Sequence, residues 1–208
     1  MIMFEKIKYF YKAYFKRNII SNRKKNKIGS VGNNVVIENP FDYGDLPSKI
    51  CIGKNTSILK NARINVYGTS MDNDIIVNIG EGCYIGANFC ILAKEKVTIE
   101  NNVLIASNVI ITSENHGIDP ECSTPYMDQE LTGLPVRIGT GCWIGEKVII
   151  LPGVSIGEKS IIGAGSIVTK KVPSYSIAVG NPAKIIKKYN FSTHRWEHCK
   201  DDLCCVER

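Results

Sequence analysis

The sequence predicts an all-β protein built as a parallel β-solenoid. Two observations carry this. From residue 138 to 173 the chain reads in sixes, with Ile138, Ile144, Ile150, Ile156, Ile162 and Val168 opening successive blocks. The fifth place of each block is small or β-branched: Cys142, Val148, Val154, Ser160, Ser166 and Val172. A fixed short period without interruption is the mark of a solenoid. Side chains alternate faces along a strand, so places one and five point the same way, inward. One block is then one flat side, and three blocks make a triangular coil. Coils stack at about 4.8 Å, the ordinary strand spacing, and each covers the open edge of the last.

The rest of the chain is justified in order. Residues 3–17 set Phe4, Ile7, Tyr11, Tyr14 and Phe15 at helical spacing between Lys6, Lys8, Lys12 and Lys16. That predicts an amphipathic N-terminal helix, read either as a lid on the solenoid end or as a basic helix on an anionic membrane. Residues 1–20 therefore carry the one expected membrane contact. Residues 21–27 read as a solvated linker. The hexads begin weakly at Val31 and Ile37, and residues 40–49, with Gly44 and Pro47, read as an irregular connection. The pattern resumes at Ile52, Ile58 and Ile64, and residues 68–74 read as a loop. It returns at Ile79, Ile85 and Ile91, slips by two residues near Val97, and runs on through Ile99, Ile105 and Ile111. It stops from 113 to 135 and restarts at Ile138, giving five to six coils and one protruding loop. The domain division is residues 1–27, helix and linker; 28–183, the solenoid with loop 113–135; and 184–208, a short helical or irregular C-terminal segment.

Composition excludes several classes. No apolar run approaches the ~18 residues of a membrane helix, and the N-terminus is too charged for a secretion signal. A cytoplasmic protein is expected, with a peripheral place at the inner membrane face if the basic helix meets lipid. Residues 1–27 hold nine Lys or Arg and one Glu, so the net charge of +6 leaves 28–208 at −2. No nucleic-acid surface is expected on the solenoid. Cys83 and Cys142 fall at place five and read as small buried hydrophobes. The tail residues His194, His198, Cys199, Cys204 and Cys205 do not have a recognised tetrahedral zinc spacing, and no metal is expected.

Chemistry belongs where the repeat breaks. The interrupting loop opens with T-S-E-N-H-G at 112–117, and His116 is the sole His in residues 1–193. Imidazole is suited to taking a proton from a hydroxyl near neutral pH. Glu114 and Asn115 either orient it or are simply solvated, and Gly117 leaves room beside it. A lone loop His is equally readable as an ordinary surface residue.

The hexads, together with S-E-N-H-G at 113–117, W-I-G at 143–145, I-L-P-G-V-S-I-G at 150–157, G-A-G-S-I-V-T-K at 163–170 and G-N-P-A-K at 180–184, resemble the hexapeptide-repeat acyltransferases. The sugar O-acetyltransferase branch, with galactoside, maltose, capsule and O-antigen members, is the most similar. The resemblance implies a left-handed parallel β-helix and a homotrimer with active sites between subunits. It implies acetyl-CoA as donor and a sugar hydroxyl as acceptor, with surface-polysaccharide biosynthesis as the setting. Matched by motif, His116 is the catalytic base and the Gly145 N–H the oxyanion donor. Asn88 and Trp143 face the acceptor. Ala164, Thr169 and Lys170 line the edge along which CoA lies, and Lys184 and Lys187 meet its phosphates. Glu146 departs from the small residues common at its place, which puts donor contacts there in question. N-acetylation of an amino sugar or nucleotide-amino-sugar through the same histidine is the alternative, and a non-enzymatic scaffold a further one. A zinc carbonic anhydrase needs three His ligands, and the solenoid has one.

Overall fold

The computed structural model describes residues 18–68 and 74–199. Three sheets of parallel strands wall the molecule. The first face stacks Ser30–Val31, Ile50–Ile52, Val77–Ile79, Val97–Ile99, Val136–Ile138 and Ser155–Ile156. The second stacks Val36–Ile37, Ser57–Ile58, Tyr84–Ile85, Leu104–Ile105, Trp143–Ile144 and Ile161–Ile162 before the chain's last strands join it. The third stacks Phe41–Asp42, Ala62–Val66, Cys90–Ala93, Ile110–Thr112, Ile149–Ile150 and Ile167–Val168. Each strand is followed by one on the next face, so the six rows are six coils, at the top of the expected range.

The hexad openers are the register partners. On the first face Ile52, Ile79, Ile99, Ile138 and Ile156 pair in succession. Ile58, Ile85, Ile105, Ile144 and Ile162 do so on the second. Ile64, Ile91, Ile111, Ile150 and Val168 complete the third. None of these is more than 1% exposed, and the place-five residues Cys142, Val148, Val154, Ser160, Ser166 and Val172 are buried with them. Three β-branched ladders thus fill one continuous core, and burying each such side chain stabilises the fold by about 1.5–3 kcal/mol. The slip near Val97 is accommodated at a corner: Ile79 and Ile99 are partners 20 residues apart, two more than three hexads.

Place four turns the corner. Gly141, Lys147, Gly153, Lys159 and Gly165 all have positive φ, as do Asn88, Asn102 and Asn108 at the same place in earlier coils. Asn and Gly tolerate this left-handed backbone best. Along the edge between the second and third faces the corner side chains also bond between coils. Asn61 Nδ2 donates to Asn88 Oδ1 at 3.0 Å, Asn88 Nδ2 to Asn108 Oδ1 at 3.0 Å, and Asn108 Nδ2 to Glu146 Oε1 at 2.7 Å.

Three expectations are corrected. Residues 21–27 are solvated but not a plain linker, for Asn22–Lys25 forms one helical turn capped by Ser21. Within 40–49, Phe41–Asp42 already supplies the third face of the first coil. The C-terminal segment is neither helical nor irregular as far as residue 198. Ala183–Asn190 pairs antiparallel with Ser176–Gly180, and Arg195–His198 pairs antiparallel with Ala183–Asn190. The helix expected over 3–17, the thiols Cys204 and Cys205, and most of loop 68–74 lie outside the described residues. At the N-terminal end the Ile20 N–H donates to the Ile37 carbonyl at 2.9 Å, and Ile20 is 3% exposed, so residues 18–20 cover part of that edge. Among the described residues no helix is long and apolar enough to cross a membrane.

Candidate active site

The long insertion leaves the edge between the third and first faces. It is held at its neck by main chain: Glu114–Asn115 pairs antiparallel with Thr132–Gly133. Ser113 is buried and its hydroxyl donates to the Glu95 carbonyl at 2.6 Å, while Lys94 Nζ donates to the Leu131 carbonyl. Gln129 organises the far part. Its amide nitrogen donates to the Asp119 and Thr124 carbonyls, both at 3.0 Å, and its oxygen accepts from the Asp119 N–H. A Cβ on Gly117 would lie 2.7 Å from Gln129 Cβ, so glycine there admits this packing rather than leaving the imidazole room.

His116 stands exposed just beyond the neck, in an open pocket of about 530 Å³ whose walls include Asn115, Gly117, Ile118, Tyr126 and Thr132. No hydrogen bond to its imidazole is found among the described residues. Neither Glu114 nor Asn115 orients the ring by such a bond; their part is the strand pair that sets the neck. Ile118, Tyr126 and Met127 are 83%, 58% and 75% exposed, so the pocket is open toward whatever faces the loop.

The other expected residues lie elsewhere in the chain. Asn88, Gly145, Glu146 and Ala164 follow one another down the edge between the second and third faces, and the turn between Gly180 and Ala183 brings Lys184 to its lower end. Trp143 is half-exposed on the adjoining second face, and Lys187 lies in the strand that extends it. Thr169 and Lys170 follow Val168 off the third face, onto the edge that carries His116 two coils earlier. One chain therefore divides the candidate set between two edges with the third face between them.

The oxyanion assignment needs correction. The Gly145 N–H donates to the Ile162 carbonyl at 2.8 Å and is not free for a ligand. Glycine is required there for close stacking, since a Cβ would lie 2.6 Å from the Ala164 nitrogen. The next N–H, that of Glu146, has no partner among the described residues. The Glu146 carboxylate folds along the wall, accepting from Asn108 Nδ2 at 2.7 Å and from the Ser107 N–H at 3.2 Å. That carboxylate lies against the preceding coil. Asn88 takes part in the same ladder through both ends of its amide.

Outward residues differ by face. The second face carries Tyr84, Leu104, Trp143 and Ile161 in one register row, and the third carries Cys90, Ile110, Ile149 and Ile167. Tyr84, Leu104 and Trp143 are 42%, 43% and 50% exposed. The matching row of the first face is Asn78, Thr98, Arg137 and Ser155. Two apolar rows thus flank the edge bearing Ala164, and a polar row lies opposite. Among the described residues no three His, Cys, Asp or Glu side chains gather as a metal site would require.

This repeat has known relatives. A family model described as the hexapeptide repeat of succinyl-transferase matches residues 76–113 and 135–170. A putative lipopolysaccharide biosynthesis O-acetyl transferase, WbbJ of Escherichia coli, is 36% identical over 155 residues, which cover 71% of this chain and 76% of the relative. The chain belongs to the hexapeptide-repeat acyltransferase family. It is also similar to the galactoside O-acetyltransferase of E. coli, 41% identical over 114 residues, and the match spans 55% of each protein's length. Among solved structures, AntD, an N-acyltransferase from Bacillus cereus in complex with dTDP and 3-hydroxybutyryl-CoA, superposes with a TM-score of 0.66 at 26% identity, covering 85% of this chain and 93% of that one. Parallel sheets, few helices and this likeness together fit a left-handed β-helix.

Proposed function

We propose that the protein is an O-acetyltransferase that moves the acetyl group of acetyl-CoA to a sugar hydroxyl in the making of a surface polysaccharide. The observation that carries the proposal is His116, without a hydrogen-bond partner among the described residues, in an open pocket at the neck of the 113–135 insertion. The imidazole takes the acceptor's hydroxyl proton as that oxygen attacks the thioester carbonyl. The Glu146 N–H supports the resulting oxyanion, the kind of preorganised donor that contributes strongly in a site shielded from water. Collapse expels the CoA thiolate, which receives the proton from the imidazolium. Ala164 offers a small wall to the donor's arm, and Lys170, Lys184 and Lys187 offer cations for its phosphates. Asn88 and Trp143 remain the acceptor-side residues.

The working unit under this reading is a homotrimer. In one chain His116 and Ala164 lie on different edges with the third face between them, whereas two side-by-side copies would bring unlike edges together. The apolar rows of the second and third faces supply the surface for such packing. The protein acts in the cytoplasm, and residues 1–20 either cap the solenoid or rest on the inner membrane face. Pelleting with anionic vesicles, compared with a chain lacking residues 1–20, separates the two.

A second reading is favoured by the likeness to AntD: the same base deprotonates the amine of a nucleotide-linked amino sugar. One assay tests both. Thiol release from acetyl-CoA is followed with neutral hexoses and oligosaccharides and with matched amino sugars. Hydroxyl-dependent release supports the first reading, amine-dependent release the second. Release with neither, at any pH from about 6 to about 9, rejects both.

A further inference from the structure

A second concavity lies away from the insertion, at the C-terminal end of the first face. Arg137 and Lys171 from the coils and Tyr175, Lys188, Tyr189 and Phe191 from the closing segment surround a pocket of about 530 Å³. Its wall is aromatic. The rings of Tyr175 and Tyr189 meet Phe191 edge-on at 4.9 and 5.1 Å, and Tyr189 meets Trp196 at 5.4 Å. The Tyr189 N–H donates to the Tyr175 carbonyl at 2.9 Å, fixing the strand that carries the rings. Phe191 is nevertheless 59% exposed, a rigid apolar surface presented to solvent.

The charges around that wall are unequal. Arg137 is ion-paired with Glu100 and is neutralised there. Lys171 and Lys188 have no acidic partner among the described residues. Glu197, opposite Lys188 in the strand pairing, accepts instead from Asn190 and Thr193, and Glu158 accepts from the Tyr175 hydroxyl. Two uncompensated ammonium groups therefore sit beside an exposed ring cluster. An ammonium is a point charge suited to carboxylate or phosphate, and an aromatic face takes the apolar side of a ring ligand at little entropic cost.

We propose that this pocket binds a sugar unit bearing a carboxylate or a phosphate, as a saccharide site separate from the transfer site. The choice of a saccharide over other anions rests on the acetyltransferase reading. The rings sit where the chain turns from the first face to the second, whereas Ala164 and Lys184 lie along the edge between the second and third faces. Lys170 and Lys187 are the chain neighbours of Lys171 and Lys188, so competition with CoA is the measure of separateness. Such a site would retain an acidic glycan chain while a different unit of it, or of a neighbouring chain, reaches His116.

The test is calorimetric titration of the full chain at low salt with tetragalacturonate, glucose 1-phosphate and uncharged maltotetraose, with and without saturating CoA. At least one acidic probe should bind about tenfold or more tighter than maltotetraose, and the tighter of the two names the anionic group. The Lys171→Ala/Lys188→Ala variant should lose about tenfold and Phe191→Ala about threefold, with melting temperatures unchanged. Lys171→Gln alone serves if the double variant is unstable. Equal binding of acidic and neutral probes, indifference to Phe191→Ala, displacement by CoA, or tighter binding of oligothymidylate would each overturn the proposal. Acetyl transfer to a small neutral acceptor is measured on the same samples. Transfer without acidic binding defeats this site alone; binding without transfer defeats the acetyltransferase reading alone.

Discussion

His116 has no hydrogen-bond partner among the described residues, so truncating it tests the proposed base role with little expected effect on the fold. His116→Ala should leave the melting temperature and CoA binding unchanged and lower turnover by ~10²–10⁴, the usual worth of a general base. A loss of only a few-fold, measured at saturating acetyl-CoA, removes it from the mechanism. The thiols allow a second check at the same scale. Burial pushes the Cys142 thiol up to about 11 and raises that of Cys83 as well. Hydrogen bonds from Thr124 lower that of Cys122, on the exposed insertion. Thiolate is the reactive form. Iodoacetamide at pH about 8 should therefore label Cys122 well before Cys142 or Cys83, as peptide mass mapping would show. Early modification of Cys142 would mean that the core opens readily.

At the scale of the element, the hexads were legible because each opener and each place-five residue obeys one constraint, burial in a core of constant width. Ile144 and Ile162 illustrate it, since both are 0% exposed and register partners of one another. Ile144→Asp or Ile162→Asp would place an unpaired carboxylate in that core, at a cost of several kcal/mol. No soluble folded protein should result; a well-behaved variant with the parent's melting temperature contradicts the inward register. The closing hairpin was not legible. A-K-I-I-K-K-Y-N at 183–190 mixes apolar and basic residues with no clean period of two, and what makes it a strand is the unpaired edge of Ser176–Gly180 beside it. The Gly145 N–H was illegible for a similar reason. Its partner, the Ile162 carbonyl, is set by the stacking of coils, which no local motif reports. The place of His116 at a loop mouth was readable, but the neck pairing with Thr132–Gly133 was not, because two residues on each side carry too little pattern.

At the scale of the molecule, the division of the site between two edges yields its own experiment. His116→Ala subunits keep an intact Ala164 edge, and Ala164→Trp subunits keep an intact His116. In a cyclic trimer every mixed ring then contains one cleft built from two sound halves. Randomly mixed equal amounts should recover about a quarter of the parent's activity, from two individually inactive proteins. Native mass spectrometry confirms that the rings have mixed. Activity no higher than that of the separate variants would place each whole site within one chain.

The stacking of coils also makes the molecule a ruler with fixed graduations. The coil that carries His116 and the coil that carries Ala164 are separated by whole strand spacings, about 4.8 Å each, because every inward Ile must meet an inward Ile above and below. That separation cannot drift by fractions. It changes only when an entire turn of wall is added or removed, and such a change leaves the core's cross-section as it was. The length of ligand arm that the wall can accommodate along its axis is therefore quantised, and an engineer who inserts one more three-hexad turn between residues 138 and 156 shifts it by one step, without disturbing a single existing contact in the coils on either side beyond the new seam.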